Sequence, residues 1–396
     1  MRRPIPRYPQ AIEQWWQDKA QEKWPSAGKS RILNLLRQEI TIQSDRFNKE
    51  REFDPMSYGS RDLSILTYGS FFFPRTWIQL SLVLAEAIDF RGWEGPRTGP
   101  LQILDLGAGS GSGGLAALRL LRDRGVMNPI ELKAIDYSGK CLSYLRNVHA
   151  DLDHLWPNTL LTTEAMDLTK NLPSKSKSGY DFVLLNSTLN EITSGEDAQK
   201  MAQRLTKISQ LLNPGGFIVI VEPALKAICH KLHQAATALV KDDDLHLHGP
   251  YFNGAPCPFA SRPSRYHSHE VRRRAPPASV QQLNEPLRLA VHDVKFGFVL
   301  LSRKKPVPLD ESPAVLRLVS PLMKKKGVRS FVGIGGDNEE RSYEIQNRDL
   351  TIEGRRFVKK FERGDILHLK EWKSFEDGRR IRIPSADAVD VLWTPR

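Results

Sequence analysis

Cysteine is scarce in this chain: 396 residues contain three, at positions 141, 229 and 257. They are too few and too scattered for a disulfide framework, which suits a reducing compartment and points to a cytoplasmic protein. Long apolar runs are lacking as well. None approaches the ~20 residues that cross a bilayer, and the start MRRPIPRYPQ leads into acids and tryptophans instead of an apolar signal core, so no membrane partner is expected. Acids are outnumbered: 58 Lys+Arg against 46 Asp+Glu leave a net charge of +12. That balance favours a polyanionic partner, with a merely solvated basic surface as the plain alternative.

Against these absences stands ILDLGAGSGSGG, from Ile103 to Gly114: an apolar strand, an acid at its end, and a glycine-rich turn into a helix expected over about Ser112–Arg124. Gly107, Ala108, Gly109 and Gly111 form a turn where backbone amides can approach a ligand, and the helix aims its positive end at it. The turn reads as a nucleotide-cofactor site. The glycine spacing also satisfies a dinucleotide fingerprint, so a nicotinamide-dependent oxidoreductase stays open on the motif alone. Asp105, in acid-x-Gly-x-Gly-x-Gly spacing, and LLNPGGFIVIVEP (Leu211–Pro223) instead resemble class I methyltransferases, which bind S-adenosylmethionine. In that reading Asp105 lies near the methionine ammonium.

Apolar residues recur at helical spacing over Ala11–Trp24 and Ser30–Ile40, so the N-terminal region is expected to be helical. Ala27-Gly28-Lys29-Ser30 is not read as a phosphate loop, because no strand precedes it and the first glycine is missing. From Leu101 to Leu239 strands alternate with amphipathic helices, with strands expected near 101–105, 130–136, 158–162, 181–186 and 216–222. The pattern is that of a Rossmann-like α/β fold with a mostly parallel sheet. A polar, proline-rich stretch follows over Lys241–Pro286, then a long strand over His292–Arg303. Beyond Lys304 come short β-like runs (Arg329–Ile334, Arg341–Ile345, Arg355–Phe361, Arg379–Ile383), the signature of a small β-domain. Residues 302–396 hold 21 Lys+Arg against 15 Asp+Glu, about half the excess charge. A small basic barrel of this kind suits RNA or ribosome binding. The expected organisation is a helical region over 1–85, a cofactor domain over 86–305 with an insertion at about 241–286, and a basic β-domain over 306–396.

Asp136 closes the second strand, where a carboxylate can accept both ribose hydroxyl protons; Tyr137 adjoins it. The plainer reading of Asp136 is a helix N-cap. Glu164, Ala165 and Met166 follow the third strand, in the place of contacts to an adenine amine and ring face. Asn186 ends the fourth strand in LLNSTLNEI, and with Glu191 it is a candidate for the acceptor side. No catalytic signature accompanies them: an Asn-Pro-Pro-aromatic tetrad is absent, since Ser187 and Thr188 follow Asn186, and no nucleophilic cysteine falls at a strand end. In-line methyl transfer from a sulfonium can run on positioning alone. Cys141 and Cys229 fall in expected helices, as small core residues.

Three further pieces, YGSFFFPRTW (Tyr68–Trp77), STLNEI (Ser187–Ile192) and APCP (Ala255–Pro258) followed by HDVKFGFVLLSR, together resemble the methyltransferase-like, mitochondrial-type small-ribosomal-subunit proteins that also occur in bacteria. The resemblance covers about residues 60–380. It implies a class I methyltransferase fold with an appended β-domain and a partner in small-subunit ribosomal RNA or a maturing small subunit, with no DNA. The family pattern also carries cysteines for an iron–sulfur cluster. Here Cys257 alone remains; Arg262-Pro263 and Arg265-Tyr266-His267 stand where others would be, so no cluster is expected. A replacement metal site would draw on His246, His248, Cys257, His267 and His269; Cys257 and His267 are its weak candidates, and exposed loop histidines are preferred. Arg272-Arg273-Arg274 is either a phosphate contact or solvated charge. The sequence thus points to an S-adenosylmethionine-dependent methyltransferase acting on small-subunit RNA, or to a non-catalytic assembly or translation factor that keeps the fold as a scaffold.

Overall fold

The computed structural model describes residues 4–45, 59–175, 179–240, 244–260 and 266–394. Five strands, β1 (Leu101–Leu106), β2 (Ile130–Asp136), β3 (Thr159–Ala165), β4 (Tyr180–Asn186) and β5 (Leu212–Pro223), pair in parallel in the order β3-β2-β1-β4-β5. Their composition explains this. In β4, Phe182 and Leu184 enter one core while Val183 and Leu185 enter the other, so both faces of the sheet are covered. Burying each such side chain contributes about 1.5–3 kcal/mol.

Three more strands make the sheet mixed. β6 (His246–Gly249) and β7 (Glu270–Arg273) both pair antiparallel with β8 (Asp293–Ser302), which runs antiparallel to β5. The Lys241–Pro286 stretch, expected to be a polar insertion, therefore contributes two strands and a helix, Ala278–Asn284. The class I methyltransferase order is complete, and strand order reverses beside β1, which opens a crevice at the carboxyl ends of β1 and β4.

The helices Gln10–Lys23 and Lys29–Asp45 pack on this domain. Trp16 lies 5.6 Å from Phe73 and 5.9 Å from Tyr144 by ring centroids, and Trp15 Nε1 donates to Asp151 Oδ2 at 2.8 Å. A π-turn, Tyr68–Phe72, leads into the helix Phe73–Asp89. Gly69 in that turn is required by packing, since a Cβ there would sit 2.2 Å from the Trp16 ring.

A second sheet holds β9 (Val315–Leu318), β10 (Met323–Lys325), β11 (Val328–Gly335), β12 (Glu340–Gln346), β13 (Ile366–Leu369), β14 (Lys373–Ser374), β15 (Arg380–Arg382) and β16 (Val389–Trp393). Pairing runs β14-β15-β12-β11-β9-β13-β16, with β10 on β11. Among the described residues its ends do not meet, so it is an open sheet and not the expected barrel; the helix Ile352–Val358 adds its side chains to the core instead. That helix corrects the strand expected over Arg355–Phe361. Thr351 caps it, its hydroxyl accepting from Gly354 N, and Val358 and Phe361 reach the core at helical spacing.

The junction between the sheets is ionic. Arg317 of β9 donates to Glu86 and Glu270, and Glu86 also receives Arg91. Arg272, expected in a surface patch, is buried instead: strand alternation in β7 turns it inward, toward Glu270 at 3.2 Å and Asp365 at 3.7 Å. No described helix is long and apolar enough to cross a membrane.

Candidate functional site

The crevice holds a cavity of about 340 Å³. Its floor is the glycine turn, and the turn's conformation explains its composition. Gly107 and Gly109 adopt φ of 72° and 54°, and a Cβ on Gly107 would lie 2.2 Å from the Thr188 hydroxyl oxygen. Gly111, at φ 98°, does not line the cavity; it lets the turn press on Leu145, 2.3 Å from where its Cβ would be.

Asp105 and Asp136 hold the turn from below. Asp105 Oδ2 accepts from Gly114 N at 2.7 Å, while its Oδ1 is buried without a hydrogen-bond partner. Burial lifts this carboxyl to about 7, with the Gly114 amide opposing and the Asp136 charge adding. Asp136 Oδ2 accepts from Gly109 N and Oδ1 from Ser138 N, both at 2.8 Å, and burial lifts it to about 6. Ser138, not Asp136, caps the helix Gly139–Asp151, its hydroxyl accepting from Cys141 N.

Two glutamates add to the acidity. Glu191 lies on the short helix Leu189–Ile192, half-buried at the cavity wall, and burial with the charges of Glu222 and Asp136 lifts it to about 8. Glu222, at the end of β5, accepts from the amide side chain of Asn190 and from its backbone N–H at 3.2 Å; burial still lifts it to about 7. Asp105, Asp136 and Glu191 on the cavity wall, with Glu222 behind it, favour a bound cation.

Of the residues singled out in the sequence, Asp105, Gly107, Ala108, Gly109, Asp136 and Tyr137 line the cavity, as do Met166, Asn186 and Glu191. Asn186 Nδ2 donates to Thr76 O at 3.2 Å, and its Oδ1 is buried without a partner. Glu164 and Ala165 do not line it. Glu164 turns outward to Lys133 at 2.8 Å, Ala165 pairs across from Asp136, and the chain enters the cavity one position later, at Met166, Asp167 and Leu168. The sequence reading missed the contribution of the helical segment before β1: Tyr68, Phe72, Arg75 and Thr76 line the cavity, as does Lys295 of β8. YGSFFFPRTW was the available signal, noted only as a resemblance.

The weak metal candidates do not converge. Cys257 packs in an apolar cluster with Tyr251 and Phe259, and burial pushes its thiol up to about 11. His267 contacts the Ala224 carbonyl at 3.3 Å and stacks on His269, and His248 bonds the Lys304 carbonyl at 2.7 Å. Among the described residues no three of His, Cys, Asp and Glu are grouped to hold a metal. Arg262, Pro263 and Arg265 lie outside the described residues. A cysteine-held iron–sulfur cluster does not fit, since Cys141 sits in the distant helix Gly139–Asp151.

Residues 64–344 match the model of a family described as mitochondrial small ribosomal subunit Rsm22. No curated protein matches the chain. Among solved structures it is similar to the PH0226 protein of Pyrococcus horikoshii OT3, at 18% identity and TM-score 0.26, over 38% of this chain and 58% of that one. PKMT2 of Rickettsia typhi in complex with AdoHcy is 13% identical, over 64% of this chain and 62% of that one, with TM-score 0.33. A SAM-dependent methyltransferase of Aquifex aeolicus is 16% identical, over 51% of this chain and 93% of that one, with TM-score 0.32.

Proposed function

We propose that this chain, which belongs to the mitochondrial small ribosomal subunit Rsm22 family, binds S-adenosylmethionine in the crevice and acts on small-subunit ribosomal RNA or maturing small subunits. The observation that carries the cofactor is Asp105 Oδ1, a buried acceptor without a partner in a cavity whose carboxyls are held toward neutrality. A ligand bearing an ammonium and a sulfonium supplies the missing positive charge. Asp105 would take the ammonium and the Gly107–Gly109 turn the methionine backbone. Asp136 would take the ribose hydroxyls on its remaining lone pairs, and Met166 the adenine face. The cofactor would supply an electrophilic methyl group, and Asn186 and Glu191, which line the cavity, would meet the acceptor.

The partner reading rests on the family's description and on the basic balance of the last quarter of the chain. Three free cysteines accord with a cytoplasmic setting. A second reading, a non-catalytic assembly or translation factor on the same scaffold, is favoured by Ser187 and Thr188 following Asn186 where an amine-methylating tetrad would stand.

Calorimetric titration with S-adenosylmethionine, and separately with its demethylated product, tests the cofactor. Binding lost in Asp105→Ala and Asp136→Ala supports the site; no binding to the parent protein overturns it. A methyl group absent from small-subunit RNA in a deletion strain then separates enzyme from scaffold.

A further inference from the structure

The cavity is acidic within and cationic at its rim. Arg75, in the first turn of the helix Phe73–Asp89, and Lys295, near the start of β8, both line it and both are exposed. Arg75 Nη2 reaches the Asp293 carbonyl at 3.4 Å, and Gln79 Nε2 holds the Lys295 carbonyl at 2.9 Å, which fixes the helix start against the strand. Asp293 is the acid that acts on Arg75, from beyond ion-pair distance. Among the described residues neither cation has a carboxylate within 4 Å.

We propose that Arg75 and Lys295 hold a backbone phosphate of single-stranded RNA while the adjoining base enters the cavity beside Tyr68 and Phe72. This rests on reading the cavity as a methyl-transfer site for RNA. Charge orders the ligand: inside, a phosphodiester finds the acidic groups of Asp105, Asp136 and Glu191 and no cation among the described residues, and at the mouth it finds two cations without close counter-ions. A neutral base carries no such penalty. Tyr68 and Phe72 stand stacked at 6.0 Å, inclined 27°, and both line the cavity, so a base that enters it lies beside aromatic rings. Asn186 Oδ1 is a buried acceptor without a partner, suited to a base amine or ring N–H.

The test is fluorescence anisotropy of a short, labelled single-stranded RNA of mixed sequence across a salt series, with the full chain. Arg75→Gln/Lys295→Gln is expected to weaken binding severalfold at low salt and to reduce the slope of log affinity against log salt by about 0.7 in all, since both cations hold the same phosphate. Arg75→Lys/Lys295→Arg keeps the slope, which a merely structural role would not predict. Phe72→Ala lowers affinity and leaves the slope in place. An unchanged slope in the double glutamine variant overturns the proposal, as does a parent protein that fails to bind the RNA or that methylates protein and not RNA. S-adenosylmethionine titration of the same variants is read in parallel: cofactor binding absent from the parent protein counts against the cofactor reading, whereas an unchanged slope with cofactor binding intact counts against the rim alone.

Discussion

Arg317 and Glu86 meet across the junction of the two sheets, Nη1 to Oε1 at 2.8 Å, with both side chains 1% exposed. They are 231 positions apart in sequence. The same guanidinium reaches Glu270 at 2.9 Å, so one arginine neutralises two buried acids, on the helix Phe73–Asp89 and on β7.

Removing that arginine leaves Arg91 alone on Glu86 and Arg272 alone on Glu270. Arg317→Met is expected to destabilise the chain by about 3–5 kcal/mol, as loss of one partner of a buried ion pair does. Urea unfolding at neutral pH measures it, and a midpoint within error of the parent would mean that the junction is held by apolar contacts alone.

The cavity acids, with Glu222 behind them, set a pH dependence of the free protein. Asp105, Asp136, Glu191 and Glu222 stand at about 7, 6, 8 and 7, chiefly through burial. A carboxyl raised on folding contributes stability that is fully present below its unfolded value and lost as pH rises through the folded one. Buried His233 and His248 and half-buried His269, lowered to about 3, 4 and 4, oppose this below their unfolded value, so thermal midpoints should fall between pH 7 and pH 8, and Glu191→Gln should flatten that fall. A midpoint that rises over this range contradicts the assignment.

Gly107→Ala tests the turn. At φ 72° a side chain costs about 1–2 kcal/mol, and its Cβ would overlap Thr188. Loss of S-adenosylmethionine binding is expected, with a lowered melting temperature. Adding Thr188→Ala removes the two nearest atoms but keeps the Cβ of residue 188 at 2.8 Å along with the backbone cost, so recovery should be partial; full recovery would show that the positive φ is not needed.

Metal chelation should leave the protein unmoved. Cys257 packs with Tyr251 and Phe259, and among the described residues no cluster of ligands surrounds it. A chelator is expected to leave the melting temperature unchanged, and Cys257→Ala to lower it only as loss of a small core side chain does. A large drop with the chelator would reveal a bound metal.

The glycine turn and the strands around it were legible because each signal is local. Consecutive apolar residues mark β4 and β5 as covered on both faces, and an acid followed by spaced glycines marks the turn. Local ambiguity misled at Arg355–Phe361, where Phe357 and Phe361 fit strand alternation and helical spacing alike; Thr351 decided for a helix by capping it. Glu164 shows the limit of counting along a strand: alternation sent it to Lys133, and the cavity begins two positions on from it. Arg272 read as surface charge because its partners are Glu270, two positions back on the same strand, and Asp365, 93 positions away. The Glu86–Arg317 pair and the Arg75–Lys295 rim depend wholly on tertiary contact, which spacing does not carry.

The indole of Trp15, bonded to Asp151 in the finished fold, has a different life during synthesis. Its partner lies 136 positions downstream. At roughly 5–20 residues per second, that carboxylate is made about seven to twenty-seven seconds after the tryptophan. Through that interval Trp15 and Trp16 lack Tyr144 and Asp151, their partners on the helix Gly139–Asp151, and form a surface for chaperones to engage. The N-terminal helices are made first and completed late, so slowing translation before Asp151 lengthens the time in which this protein can aggregate.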